Sequence, residues 1–230
     1  MEAIILAGGF GTRLKSVVSD MPKPMAPVAG RPFLEILMAQ LADRGFRRVI
    51  LSLGHMAEKI SNHFGARFQG MELVYEVETV PLGTGGALAA ALTHCRADHV
   101  YVFNGDTYLD LEVDLAEAHW QSHGQPIIVG KEVSDVSRYG RLVVEGNRLM
   151  GFSEKGESGP GLINVGCYIL PVDILEDMPD VKCFSLEKDY FTSAVQKRAF
   201  HVFATRGHFI DIGVPEDYHR AQSELDGRLP

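Results

Sequence analysis

The run Ala3-Ile4-Ile5-Leu6-Ala7 passes directly into Gly8-Gly9-Phe10-Gly11-Thr12-Arg13-Leu14, and this junction constrains the chain more than any other stretch. A short, continuous apolar run bounded by glycines reads as a buried strand. A glycine-rich turn after a first strand lets backbone N–H groups approach an anion with no Cβ in the way. Arg13 follows at once, and Pro22-Lys23-Pro24 supplies a second cation between two stiffening prolines. Placed positive charge of this kind stabilises phosphate. Two look-alikes are excluded. The dinucleotide fingerprint G-x-G-x-x-G/A needs a small residue where Leu14 stands, and no G-x-x-x-x-G-K-[ST] run occurs.

The rest of the first half alternates strand and helix signals. Strands are expected at Ala3–Leu6, Arg48–Leu53, Met71–Val77, His99–Phe103 and Pro126–Gly130, and helices at Phe33–Arg44, Ala57–Phe64, Thr84–Thr93 and Val113–Ser122. Such alternation implies a mainly parallel sheet with helices on both faces, which binds ligands beyond the carboxyl ends of its strands. After Val133 the pattern changes. Arg141–Val144 and Leu149–Ser153 flank Gly146-Asn147 as a hairpin, and Ile163–Leu170 is a further strand. Leu186–Lys197 reads as helical, Ala199–Ala204 and His208–Ile212 as extended, and Pro215–Leu225 as a closing helix. These later strands fit an antiparallel edge or lobe. One domain over residues 1–230 is expected, with a first half to about residue 133 and a second from about 134.

Composition narrows the function classes. A net charge of −8 opposes non-specific nucleic-acid binding. No apolar stretch approaches the ~20 residues of a membrane span, and no basic segment precedes the first apolar run, so neither a membrane anchor nor a signal peptide is expected. The 3 cysteines, Cys95, Cys167 and Cys183, form no C-x-x-C pair and fit reduced, mostly buried thiols in a cytoplasm; none sits in a nucleophile motif. The 9 histidines show no metal-ligand spacing and read mostly as surface residues.

Four further segments carry chemistry. Pro81-Leu82-Gly83-Thr84-Gly85-Gly86-Ala87 is a second glycine loop opening a helix, where bare backbone suits a flat ring and Thr84 suits a cap. Asn104-Gly105-Asp106-Thr107 follows a strand and ends in a carboxylate suited to a hard cation. Asp211 stands between apolar residues in Phe209-Ile210-Asp211-Ile212-Gly213, as a metal ligand or as a cap for the helix that Pro215 opens. Glu154-Lys155 closes the hairpin, as a phosphate contact or a surface ion pair.

Together L-A-G-G-x-G-T-R-L, P-K-P, P-L-G-T-G-G-A and N-G-D-T resemble the sugar-1-phosphate nucleotidyltransferases, which condense a nucleoside triphosphate with a sugar 1-phosphate and release pyrophosphate. The resemblance spans almost the whole chain and implies a Rossmann-like α/β sandwich with a smaller antiparallel sugar-binding portion. It implies that Leu6, Ala7, Gly8, Gly9, Gly11, Thr12, Pro81, Gly83, Thr84, Gly85, Asn104, Gly105 and Asp106 bind the nucleotide. Arg13 and Lys23 would be its catalytic cations, and Asp106 and Asp211 would hold Mg2+. Gly140 of Arg138-Tyr139-Gly140, Glu154, Lys155, Asn164 and Gly166 would contact the sugar phosphate. Within the family the likeness is nearest to bacterial guanylyltransferases acting on a heptose 1-phosphate, which implies GTP and GDP-heptose for capsule or surface glycan. A mannose-1-phosphate guanylyltransferase, another nucleotidyltransferase, or a regulatory subunit without turnover are the alternatives, and a homodimer stays open.

Overall fold

The structure is a computed structural model that describes residues 1–9, 14, 21–153, 158–178 and 181–226. The expectations for Gly11, Thr12, Arg13, Glu154 and Lys155 lie outside the described residues.

In chain order the elements begin with β1 (Glu2–Ala7), a 3-10 turn at Lys23–Met25, and a short ribbon of β2 (Pro27–Val28) and β3 (Arg31–Pro32). Then come α1 (Phe33–Asp43), β4 (Arg48–Leu53), α2 (Ala57–Phe64), β5 (Arg67–Phe68), β6 (Met71–Val77) and α3 (Gly83–Leu92). They are followed by β7 (His99–Asn104), β8 (Thr107–Leu109), α4 (Val113–His123), β9 (Ile127–Val133), β10 (Leu142–Glu145) and β11 (Arg148–Phe152). The chain closes with β12 (Gly161–Pro171), a π-helical turn Leu186–Phe191 running into α5 (Thr192–Ala194), β13 (His201–Thr205), β14 (Phe209–Asp211) and α6 (Pro215–Glu224).

A single 10-stranded sheet, in the order β10-β11-β13-β9-β12-β7-β1-β4-β6-β5, organises the molecule. β7, β1, β4, β6, β9, β13 and β10 run one way; β12, β11 and β5 run against them. The mostly parallel α/β sheet is therefore as expected, and of the two forms open for the later strands, an edge or a lobe, β10, β11 and β13 make an antiparallel edge. β13 lies parallel to β9, with His201 opposite Ile127, so the late strands extend the same sheet.

Strand alternation builds the core. Ala3, Ile5 and Ala7 of β1 face one apolar layer with Met38, Phe46 and Tyr101, while Ile4 faces the other with Val102, Tyr168 and Phe191. A third cluster joins Phe33 and Leu37 of α1 to Tyr108, Ile212 and Tyr218. That cluster fixes β14 and α6 over the carboxyl end of the sheet. The ribbon of β8 with β14 pairs Thr107 with Asp211, and Ile212 N–H donates to the Asp106 carbonyl at 2.9 Å. This pairing joins segments far apart in sequence and sets the site.

The expectation of mostly buried thiols changes. Cys167 alone is fully buried; Cys95 is half-buried and Cys183 exposed, all three free. Burial, with Glu2 nearby, pushes the Cys95 thiol up to about 12, which removes it as a nucleophile near neutrality.

Candidate active site

β1 and β7 end side by side, with Leu6 opposite Asn104, and Gly105 N–H donates to the Leu6 carbonyl at 2.9 Å. A cleft of about 410 Å3 opens there, beyond the carboxyl ends of the parallel strands. Leu6, Ala7, Gly8 and Gly9 form one wall, and Asn104, Gly105 and Asp106 the floor. Pro81, Gly83 and Thr84 line the far side, and Lys23 and Gly213 the mouth. Every described residue expected at the nucleotide except Gly85 thus lines one cavity. The Asn104 side chain lines the cleft, and its Oδ1 atom is buried with no hydrogen-bond partner among the described residues.

Pro22 and Pro24 hold Lys23 at the start of the 3-10 turn, and its Nζ reaches Asp106 Oδ2 at 2.5 Å. Lys23 is only 12% exposed and Asp106 37%, so the pair meets inside the cleft mouth rather than in bulk water. Asp211 arrives beside them on β14. Burial pushes its carboxyl up, the Asp106 charge adds to the rise, and the Gly213 N–H bond to Oδ1 at 2.6 Å opposes it. The alternative role as a helix cap does not hold: α6 starts at Pro215 behind Val214, and no side chain caps it. Two carboxylates whose charges repel in a half-buried corner, beside one ammonium, are a donor set that suits a hard divalent cation.

Thr84 does not cap α3 either. The helix has no side-chain cap, and Thr84 lies inside it. The Thr84 hydroxyl donates to Glu187 Oε2 and accepts from Leu186 N–H, each at 2.8 Å, tying α3 to the π-helical turn. Gly85 turns away from the cleft: a Cβ there would enter the Phe184 ring, and Gly85 N–H donates to the Phe184 carbonyl at 2.9 Å. Its glycine is therefore explained by close packing against Phe184 and not by approach to a nucleobase.

The remaining expected residues gather at the rim. Asn164 Oδ1 accepts from Gly166 N–H at 2.9 Å, and its Nδ2 donates to the Tyr168 hydroxyl at 3.0 Å, so the Asn164 amide shapes a turn. Gly166, at φ +69°, abuts the Asn104 side chain and so reaches the floor of the cleft. Gly140 stands beside the Ser153 carbonyl at the open end of the hairpin, immediately before residue 154. Neither Asn164 nor Gly140 lines the cavity itself. Arg138 lies 5.8 Å from the Tyr139 ring centroid and pairs with the buried Asp217, which Arg220 also holds at 3.1 Å.

Two further acids at the site carry no signal in the sequence. Asp217 anchors the Arg138-Tyr139-Gly140 element to α6. Glu78 sits on the cleft wall directly against Gly8; a Cβ at Gly8 would come within 2.5 Å of Glu78 Oε1. Leu82 N–H donates to Glu78 Oε2 at 3.0 Å, and burial pushes the carboxyl up. A lone acid just after a strand gives no signal of this.

Comparison with known proteins matches residues 2–227 to the family model described as nucleotidyl transferase. The D-glycero-alpha-D-manno-heptose 1-phosphate guanylyltransferase of Aneurinibacillus thermoaerophilus is 39% identical over 226 residues, 98% of each chain. The protein of the same description from Campylobacter jejuni is 39% identical over 220 residues, 95% of this chain and 97% of that one. Among solved structures, HddC from Yersinia pseudotuberculosis complexed with GMP-PN superposes with a TM-score of 0.86 at 41% identity, covering 97% of this chain and 99% of that one.

Proposed function

The chain belongs to the nucleotidyl transferase family, and from that premise we propose that it joins GTP to D-glycero-α-D-manno-heptose 1-phosphate, giving GDP-heptose and pyrophosphate. A phosphate oxygen of the sugar 1-phosphate attacks the α-phosphorus in line. The bond from that phosphorus to the bridging oxygen breaks, and pyrophosphate leaves with the electron pair. A phosphate monoester is already ionised at neutral pH, so no general base is needed.

The observation that carries this reading is the meeting of Lys23 and Asp106 in one cleft, with Asp211, which does not itself line the cavity, brought beside them by the pairing of β14 with β8. Phosphoryl transfer depends on positioning and charge stabilisation. Lys23 shifts from Asp106 onto the phosphates and neutralises charge that grows on the α-phosphate and pyrophosphate; Arg13 is assigned the same task. Asp106 and Asp211 are assigned a Mg2+ ion, whose charge would offset the repulsion between the two phosphate-bearing substrates. Asn104, which lines the cleft, is assigned a contact with the nucleotide.

Glu78 supports the choice of base. A carboxylate only accepts hydrogen bonds, and guanine alone among the common bases offers two adjacent donors, N1–H and the N2 amino group. The heptose assignment is supported by the full-length relatives at 39% identity. The nucleotide is assigned to the half up to about residue 133, and the sugar phosphate to the rim at Gly140, Asn164 and Gly166 with Glu154 and Lys155. Three free cysteines support a reducing cytoplasm, with the product feeding bacterial capsule or surface glycan. No helix among the described residues is long and apolar enough to cross a membrane.

The test is product identity. Protein incubated with GTP, the heptose 1-phosphate and Mg2+ forms a compound of the mass of GDP-heptose. Its absence, with GDP-mannose formed instead from mannose 1-phosphate, would overturn the sugar assignment.

A further inference from the structure

Far from the cleft, α4 and β13 bring three histidines together. His119 and His123 lie one helical turn apart on α4, and His201 opens β13. One ring nitrogen from each falls within 4.8 Å of the other two, the one such group of three among the described residues. This corrects the expectation that the histidines lack ligand spacing: His119 and His123 have it, and His201 joins them from 82 positions away.

The geometry is that of a metal-binding face. His119 Nε2 and His201 Nδ1 stand 3.3 Å apart, nitrogen to nitrogen. Two imidazoles on one tetrahedral zinc ion, with Zn–N bonds of about 2.0–2.1 Å, hold their nitrogens about 3.3–3.4 Å apart. His123 uses Nδ1 to bond the His119 carbonyl at 2.9 Å, which orients the ring and leaves Nε2 to ligate. The His119 and His201 rings meet edge to face at 5.4 Å, and His123 and His201 at 4.6 Å, so the three form one packed cluster.

We infer that His119, His123 and His201 form a binding site for a first-row transition metal, with zinc the ion that fits, clamping the last turn of α4 to the start of β13. An all-imidazole set selects such metals over Mg2+, which prefers oxygen. Three protein ligands leave a fourth position for water, and His123 is exposed enough to admit it. Burial and the neighbouring imidazoles both hold His119 and His201 below the ordinary histidine range, with Arg148 adding to this at His201.

The site sits at the opposite end of the sheet from the cleft. His201 pairs with Ile127 at the amino end of β9, whereas Ala7 and Asn104 close the carboxyl ends of β1 and β7. It is thus independent of the Asp106–Asp211 pair and of the proposed reaction.

Equilibrium dialysis of the full chain against Zn2+ alone, followed by Co2+ substitution, tests this. The expected result is one tightly held equivalent of Zn2+ and an intense visible Co2+ spectrum of the tetrahedral type. His123→Gln and His201→Ala each weaken binding at least tenfold, while Asp106→Asn leaves it intact. Zn2+ raises the Tm of the unaltered chain but not that of His123→Gln. His123→Gln changes an exposed helical residue, so it stays informative if His201→Ala fails to fold. Absence of stoichiometric binding, a pale octahedral Co2+ spectrum, or binding lost in Asp106→Asn and kept in the histidine variants would overturn the inference.

Discussion

Lys23 and Asp106 stand 83 positions apart in the chain and meet at 2.5 Å in the mouth of the cleft. The prolines on either side of Lys23 and the strand end before Asp106 make this meeting a property of the fold rather than of two mobile side chains. The pair marks where a phosphate would draw the ammonium and where a cation would draw the carboxylate.

Lys23→Ala therefore removes a placed charge from the transition state. Turnover falls at least about a hundredfold, as with loss of a preorganised electrostatic group, while circular dichroism and Tm show a folded chain. Steady-state pyrophosphate release on the purified variant checks this.

Asp211 separates stability from activity. Its folded-state pKa is raised by burial and by Asp106, so the folded chain binds the proton more tightly than the unfolded one. Stability contributed by this group is therefore lost as pH rises from the ordinary carboxylate value through the raised one. Without Mg2+, Asp211→Asn raises the Tm at neutral pH and flattens the fall in Tm across that acid window. The same variant loses turnover at least about a hundredfold. Thermal melts from pH 3 to pH 7, paired with an activity assay, read both.

Glu78→Gln keeps the shape of the cleft wall but replaces one acceptor with a donor facing the guanine edge. The kcat/KM for GTP drops about ten- to a hundredfold, the scale of one lost charged hydrogen-bond pair. The value for ATP changes less. Competition between the two nucleotides in one reaction measures the ratio directly.

Gly85→Ala drives a methyl group into the Phe184 ring. Overpacking of this kind costs about 1–3 kcal/mol. Urea unfolding shows it as a lower midpoint with an unchanged slope.

Much of this molecule is legible in its sequence because the elements obey local rules. β1, β4 and β7 are mainly apolar runs that each stop at a glycine, Gly8, Gly54 and Gly105, and α1 carries Phe33, Leu34, Leu37 and Met38 at helical spacing, all four buried. The glycine and P-K-P motifs point to the cleft because backbone approach and fixed charge are local properties. Other features depend on pairings that no local pattern encodes. The ribbon of β8 with β14 brings Asp211 to Asp106, and β13 enters between β11 and β9, antiparallel to the first and parallel to the second. Thr84 looks like a cap beside Gly83, yet its hydroxyl is satisfied by Glu187 and Leu186 from the other half of the chain. Glu78 and Asp217 are single acids whose roles come from what packs against them. His119 and His123 carry a visible four-residue spacing, but only the placement of His201 turns it into a cluster.

Pyrophosphate release with Mg2+, across GTP, ATP, CTP, UTP and dTTP, each paired with heptose, mannose and glucose 1-phosphates, decides which reaction the cleft carries out. Release is expected to be fastest, by at least an order of magnitude in kcat/KM, with GTP and D-glycero-α-D-manno-heptose 1-phosphate. Equal or faster release with another base or sugar, or no release from folded protein with any pair, would contradict it.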